Sequence, residues 1–200
     1  TKVGRAWKVR PTKYSDFIMQ TQADFLFSAT TEAKHPGKSQ NQDAVFAVCG
    51  RSGGDLPYGL FVVADGVGGL KDGSRASQTV IETLATHFEP IWPVITAVSD
   101  QTVTRLKQQL KKAIYQANEA ILAMTAKEED RMASTVTCAI VIDHAMVVAN
   151  VGDSRTYLYR QGQMEQLTQD HSLVAWLVEQ EHITVQEALN HPYTNVLTQA

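Results

Sequence analysis

Three aspartates in this sequence stand where short apolar runs begin or end. In Phe61-Val62-Val63-Ala64-Asp65-Gly66-Val67-Gly68-Gly69 an apolar run stops at Asp65 and passes at once into a glycine-rich turn. Gln40-Asn41-Gln42-Asp43 places a second acid at the start of the run Ala44–Val48, and Asn150-Val151-Gly152-Asp153-Ser154-Arg155 places a third between two more runs. A carboxylate at a strand end, beside glycines that open the backbone carbonyls to a ligand, is a hard-oxygen donor set suited to Mg²⁺ or Mn²⁺. Taken singly, each motif has a plain structural explanation: Asp65 terminates a strand, and the Asp153 segment makes a good hairpin turn. Their recurrence is what points to chemistry, because strand ends from different positions of a sheet sandwich can converge on one cleft.

Other phosphate-binding readings fail on spacing. A Walker A loop needs Gly-Lys-Ser/Thr after four intervening residues, and no such string occurs. A dinucleotide fingerprint starting at Gly66 would need its third glycine where Lys71 stands. Cys49 and Cys138 form neither a Cys-x-x-Cys pair nor a Cys-x₅-Arg phosphate loop. Both sit in apolar runs, which implies buried free thiols in a reducing, cytoplasmic setting.

The elements that must position these residues show in the hydrophobic periods. Phe25–Thr31, Ala44–Cys49 and Gly59–Ala64 are strand-like. Gly73–Phe88 has Ala76, Val80, Ile81, Leu84 and Phe88 at helical spacing, and Thr104–Met124 repeats the pattern with Leu106, Leu110, Ile114, Ala117, Ile121 and Met124. Pro90 and Pro93 force a break between the two helices. Strands follow at Thr135–Ile142, Ala145–Val151, Thr156–Arg160 and Met164–Leu167, joined by the tight turns Asp143-His144 and Gln161-Gly162, so they are antiparallel neighbours. Weaker helices cover Leu173–Gln180 and Thr184–Asn190. Around Leu173–Tyr193, Trp176, His182 and Tyr193 are placed to face a partner, but Leu173, Trp176, Leu177 and Ile183 equally read as helix packing, the better reading for all but Tyr193. Helices packed outside a mostly antiparallel sheet sandwich make an α+β layered fold.

The chain has 200 residues, 44% hydrophobic and 20% charged, enough apolar material for one domain with a core. Its apolar runs are far shorter than the roughly 20 residues that span a bilayer. The net charge is −3, but Thr1–Lys13 holds Lys2, Arg5, Lys8, Arg10 and Lys13 without an acid, so +5 there leaves −8 on the rest. Residues 1–22 read as a basic N-terminal extension and 23–200 as the folded domain. An acidic body repels a phosphate backbone, which argues against nucleic acid as a partner.

Asn41-Gln42-Asp43, Ala64-Asp65-Gly66-Val67-Gly68-Gly69, Ala133-Ser134-Thr135, Asn150-Val151-Gly152-Asp153-Ser154-Arg155, Leu167-Thr168-Gln169-Asp170-His171-Ser172 and Asn195-Val196-Leu197-Thr198 occur in one order along the chain. In that order they resemble the PP2C-type (PPM) metal-dependent serine/threonine protein phosphatases in their bacterial form, over roughly residues 25–200. The resemblance implies an αββα four-layer sandwich of two mostly antiparallel sheets flanked by helices, with a Mn²⁺ or Mg²⁺ pair in a cleft at one end of the sheets. It implies that Asp65 bridges the two ions, that the Gly66 carbonyl ligates one, and that Asp43 acts mainly through metal-bound water. It further implies that Asp153 helps to hold a third, weaker ion. Such a pair, roughly 3.5–4 Å apart, activates water and neutralises phosphoryl oxygens during in-line attack. The implied substrates are phosphorylated proteins, opposing a serine/threonine kinase.

The sequence departs from the family pattern at three places. Lys38 stands where the family usually has a phosphate-gripping Arg, supplying charge but not a bidentate fork. Val67 stands where some members have a His, and neither His35 nor His171 reads as a substitute. The family pattern also runs on past Leu-Thr-x-Ala to Ser-Asp-Gly and Asp-Asn segments that complete the second ion's shell. Asp100, Asp130 and Asp143 lie in polar turns or helix ends and do not replace them. The alternative function is therefore a catalytically impaired phosphoprotein-binding or scaffold module on the same fold.

Overall fold

The computed structural model describes residues 17–20, 26–29, 41–67, 72–125 and 131–200. At its centre is a four-stranded antiparallel sheet formed by β3 (Asp43–Arg51), β4 (Pro57–Asp65), β5 (Val136–Ile142) and β6 (Ala145–Val151), side by side in that order. The β3–β4 register pairs Asp43 with Asp65 and Arg51 with Pro57; the β5–β6 register pairs Val136 with Val151. Two residues suffice for the β5–β6 turn because Asp143 takes a left-handed conformation, φ 49°. Two antiparallel hairpins flank the sheet in sequence: β1 (Phe17–Gln20) with β2 (Leu26–Ala29), and β7 (Tyr157–Arg160) with β8 (Gln163–Gln166). Strand β1 falls inside the stretch read from sequence as a basic extension, its apolar Phe17-Ile18-Met19 pairing with β2.

Two long helices connect β4 to β5: α1 (Gly73–Phe88) and α2 (Asp100–Met124). The apolar face expected on α1 is buried, Ala76, Val80, Ile81, Leu84 and Phe88. On α2 Leu106, Leu110, Ala117 and Ile121 are buried as expected and Ala113 joins them, whereas Ile114 and Met124, also expected on that face, are partly buried at its edge. They pack on one face of the sheet, against Phe46, Val48, Tyr58, Leu60, Val62, Ala64, Cys138, Ile140 and Ile142. Each of the fully buried large side chains contributes roughly 1.5–3 kcal/mol relative to exposure. Between the helices a 3₁₀ turn, Trp92–Val94, is anchored by Trp92, whose ring stacks on Tyr58 at 4.2 Å and on Phe88 at 5.3 Å. Helix α2 begins at Asp100, four residues before the point expected from periodicity, because the Ser99 side chain caps it by accepting from the Thr102 N–H.

Side chains alternate along a strand, so Asp43, Val45 and Ala47 of β3 and Phe61, Val63 and Asp65 of β4 point to the face away from the helices. That face is less covered: Val63 is 43% exposed and Met146 41%. The architecture is α+β, antiparallel sheets flanked by helices. Beyond β8, Ser172 caps α3 (Leu173–Glu179), and a reciprocal Thr184–Glu187 capping box starts α4 (Val185–Ala188). Trp176, for which sequence favours packing over facing a partner, is 48% exposed and meets His182 edge-on at 6.0 Å, while α3 buries Val174 and half-buries Leu173 and Leu177.

Candidate active site

The geometry of the site follows from register. Asp43 opens β3 and Asp65 closes β4, and the two are cross-strand partners. The next rung outward is made by the Gly66 N–H donating to the Gln42 carbonyl at 3.2 Å. The Asp65 backbone bonds the other way, toward β5, accepting from Thr135 N–H at 2.9 Å. Asp43 and Asp65 therefore form a non-hydrogen-bonded pair, the closer of the two antiparallel spacings at roughly 4.5 Å between α-carbons. Two carboxylates so placed on one face repel each other unless a cation lies between or beside them.

Continuing the registers across the sheet, Thr135 lies opposite Asp65 and Gly152 opposite Thr135. Asp43, Asp65, Thr135 and Gly152 thus form a row across all four strands at one end of the sheet, and Asp153 follows directly on the last of them. Asp43 and Asp65 are partly buried, whereas Asp153 is exposed. The structure brings Asp43 and Asp65 together. Asp153 joins them only through the row, since no three His, Cys, Asp or Glu side chains form a ready-made cage among the described residues. Lys38 and His35 lie outside the described residues.

Helix α1 fixes the outer side of this row. Ser77 donates its hydroxyl to the Gln42 carbonyl at 2.6 Å, so the residue before Asp43 is tied to the helix. Asp43 itself donates its N–H to Asn41 Oδ1 at 3.0 Å, which caps the strand's first residue. Gly66 is buried beneath the start of α1, and its N–H points toward β3, so its carbonyl projects to the same side.

The opposite side is fixed by the loop after β6. Asn150 Nδ2 donates to the Gly152 carbonyl at 3.0 Å and to the Gln169 carbonyl at 3.2 Å; its Oδ1 is buried with no hydrogen-bond partner. His171 accepts from the Gly152 N–H on ring Nδ1 at 3.4 Å, and its backbone N–H donates to the Gly152 carbonyl at 2.9 Å. That histidine braces the loop. Arg155 forms a two-pronged pair with Asp170, Nε to Oδ1 at 2.8 Å and Nη2 to Oδ2 at 2.6 Å.

The donors fit a hard divalent cation: paired aspartates and a backbone carbonyl, all oxygen, with like charges to be neutralised. Thiol chemistry is excluded. Burial pushes Cys49 up to about 11 and Cys138 up to about 12, so neither is a thiolate near neutral pH. Asp100 opens α2 and Asp143 sits in the exposed β5–β6 turn, both away from the row. The residue that sequence reasoning did not single out is Thr135, which lies in a motif noted for its resemblance but without a role of its own.

Fold and site together define an α+β protein with an acidic, oxygen-only site at the rim of an antiparallel sheet. The family model for protein phosphatase 2C matches residues 17–174. The chain belongs to the protein phosphatase 2C family. The serine/threonine phosphatase stp of Listeria innocua is 36% identical over 143 residues, 70% of this chain and 54% of that protein. The phosphatase PstP of Mycobacterium tuberculosis is 32% identical over 165 residues, 82% of this chain and 28% of that protein. Among solved structures, Stp1 from Staphylococcus aureus superposes with a TM-score of 0.64 at 28% identity, covering 98% of this chain and 68% of that one. The catalytic domain of PstP in complex with two manganese ions gives 0.59 at 33% identity, over 76% of this chain and 58% of that one. The chain thus spans about half the length of the Listeria relatives it matches, 54%.

Proposed function

We propose that the protein hydrolyses phosphoserine and phosphothreonine in proteins, using two Mn²⁺ or Mg²⁺ ions and a third held more weakly. The observation that carries this reading is the facing pair Asp43–Asp65 at the end of the central sheet. Asp65 and the Gly66 carbonyl hold the ions, Asp43 orients water beside them, and Asp153 serves the weaker site. The ions supply charge neutralisation for the phosphoryl oxygens and an acidified water at neutral pH. The chain's own part is to fix these oxygens. Ser77 and Gln42 hold the β3 side, Thr135 holds the β4 end, and His171 with Asn150 hold the Asp153 loop. With both thiols locked in the protonated state, no cysteine competes with water as the nucleophile.

Lys38 serves as the cation for substrate phosphate, and the substrates are targets of a serine/threonine kinase in the cytoplasm. No helix among the described residues is long and apolar enough to cross a membrane. A second reading, a phosphoprotein-binding module without turnover, is favoured by one observation, that only two acids pair at the row and no group of three forms among the described residues.

Phosphate release from a phosphothreonine peptide by the full chain, in Mn²⁺ and then in excess EDTA, separates the two. Mn²⁺-dependent release that Asp65→Ala abolishes is the expected result. Tight peptide binding without release, from folded protein in Mn²⁺, would select the binding module.

A further inference from the structure

Thr135 occupies the middle of the row and is 2% exposed. Its hydroxyl accepts the Asp65 N–H at 3.1 Å, standing in for a ladder carbonyl, and lies 2.7 Å from the Ser154 hydroxyl. A threonine hydroxyl has one proton and two lone pairs. With Asp65 donating into it, the remaining capacity meets Ser154 with both groups satisfied. Thr135 also donates its N–H to the Asp65 carbonyl at 2.9 Å, and the Ser134 hydroxyl donates to the same oxygen at 3.1 Å. Its methyl closes against Gly152, where an added Cβ would lie 2.6 Å from Thr135 Cγ2. One buried side chain therefore touches the backbone of Asp65 on one side and both neighbours of Asp153, Gly152 and Ser154, on the other.

We propose that Thr135 is a positioning residue that couples the Asp65 metal position to the Asp153 position, so that the stronger and weaker ions are held by one shared hydroxyl-centred strut. This rests on the reading of Asp65 and Asp153 as metal-holding residues. The strut spans from the β4 end to the post-β6 loop across the first rungs of β5. Groups that orient metal ligands from behind typically change affinity 10–100-fold when removed.

The test is Mn²⁺ titration of the full chain by calorimetry, on wild type, Thr135→Val, Thr135→Ser, Ser154→Ala and Thr137→Val, with a thermal melt of each. Thr137 is the control, because its hydroxyl makes an equivalent bond to the Thr156 hydroxyl at 2.8 Å, two residues inward on the same face of the sheet. Thr135→Val is expected to weaken both the tighter and the weaker Mn²⁺ events by about tenfold. Ser154→Ala is expected to weaken only the weaker event. Thr135→Ser, which keeps the hydroxyl, should stay near wild type, and Thr137→Val should lower the melting temperature without moving Mn²⁺ affinity. Wild-type affinity in Thr135→Val overturns the proposal, as does an equal loss in Thr137→Val. If Thr135→Val does not fold, Thr135→Ser and Ser154→Ala decide, and a tenfold loss in Thr135→Ser overturns it. A wild-type chain that takes up no Mn²⁺ removes the metal reading beneath it, and that outcome is visible before any variant is made.

Discussion

Gly66 and Gly73 cross so closely that a Cβ on Gly66 would lie 2.2 Å from the Gly73 carbonyl oxygen. The end of β4 and the first turn of α1 are therefore in backbone contact at the residue that follows Asp65. Gly66→Ala has to push the helix and the strand end apart. The expected loss is about 1–3 kcal/mol in chemical denaturation, the usual cost of forcing atoms into a packed site, together with weaker Mn²⁺ binding. Unchanged stability would show that the contact is not obligatory.

Gly152 is constrained differently. Its φ of 98° is a conformation that side-chain-bearing residues rarely adopt, and an added Cβ meets the Thr135 methyl. Gly152→Ala should cost about 1–3 kcal/mol through backbone strain and overlap together. In the Gly152→Ala/Thr135→Ser double variant the 2.6 Å overlap with the methyl goes, while the 2.7 Å approach to the Thr135 Cβ and the backbone strain stay, so only part of the cost is relieved. The cycle should show a favourable coupling, and additivity within about 0.5 kcal/mol would contradict the contact.

Much of this was legible in the sequence, and the reasons for the rest are physical. Asp43 and Asp65 declare themselves because each breaks an apolar run at a strand end, which is a local signal. Thr135 does not, since its role depends on a hydrogen bond to a residue 70 positions away, set by the β4–β5 register. Phe46, Leu60, Leu84 and Leu110 are core residues both by spacing and in the fold. The start of α2 was missed because its first turn carries no apolar period, and a serine cap fixes it instead. Trp176 is ambiguous in sequence because an aromatic at helical spacing signals packing only where a second element covers it, and here it stays 48% exposed.

The Arg155–Asp170 pair yields a modest effect. Hydrogen bonding to Asp170 pushes the Arg155 guanidinium, already cationic at any working pH, further up. Yet the Arg155 side chain is about half exposed, 47%, so solvent screens much of the attraction. Asp170→Ala should cost no more than about 1 kcal/mol, and less at high salt. Arg155→Lys should lose a similar amount, because an ammonium cannot reproduce the fork. A loss of several kcal/mol in urea denaturation would mean that the pair is a structural keystone of the loop.

The thiols set an alkaline limit. Burial pushes the Cys49 thiol up to about 11 and the Cys138 thiol up to about 12 in the fold, and Tyr58 is displaced upward as well, chiefly by burial. With folded-state values raised, the unfolded chain releases its protons first, so stability is full below about pH 9 and falls as pH rises toward 11–12. Melting temperatures of Cys49→Ala/Cys138→Ala measured from pH 8 upward should fall less steeply than wild type, with the Tyr58 share remaining. Parallel curves would contradict the assignment. Below pH 9, native protein should resist thiol-specific reagents.

The central claim is that Asp65, facing Asp43, holds a divalent cation, and the most direct measurement is the Mn²⁺-induced change in melting temperature of wild type and Asp65→Ala. A ligand bound only by the folded state stabilises it by about 2.7 kcal/mol at one hundred times its dissociation constant. The wild-type chain should melt several degrees higher in Mn²⁺ than in EDTA. Asp65→Ala should gain little from Mn²⁺ over its own melting temperature in EDTA. Equal Mn²⁺ stabilisation of the two proteins would contradict the account.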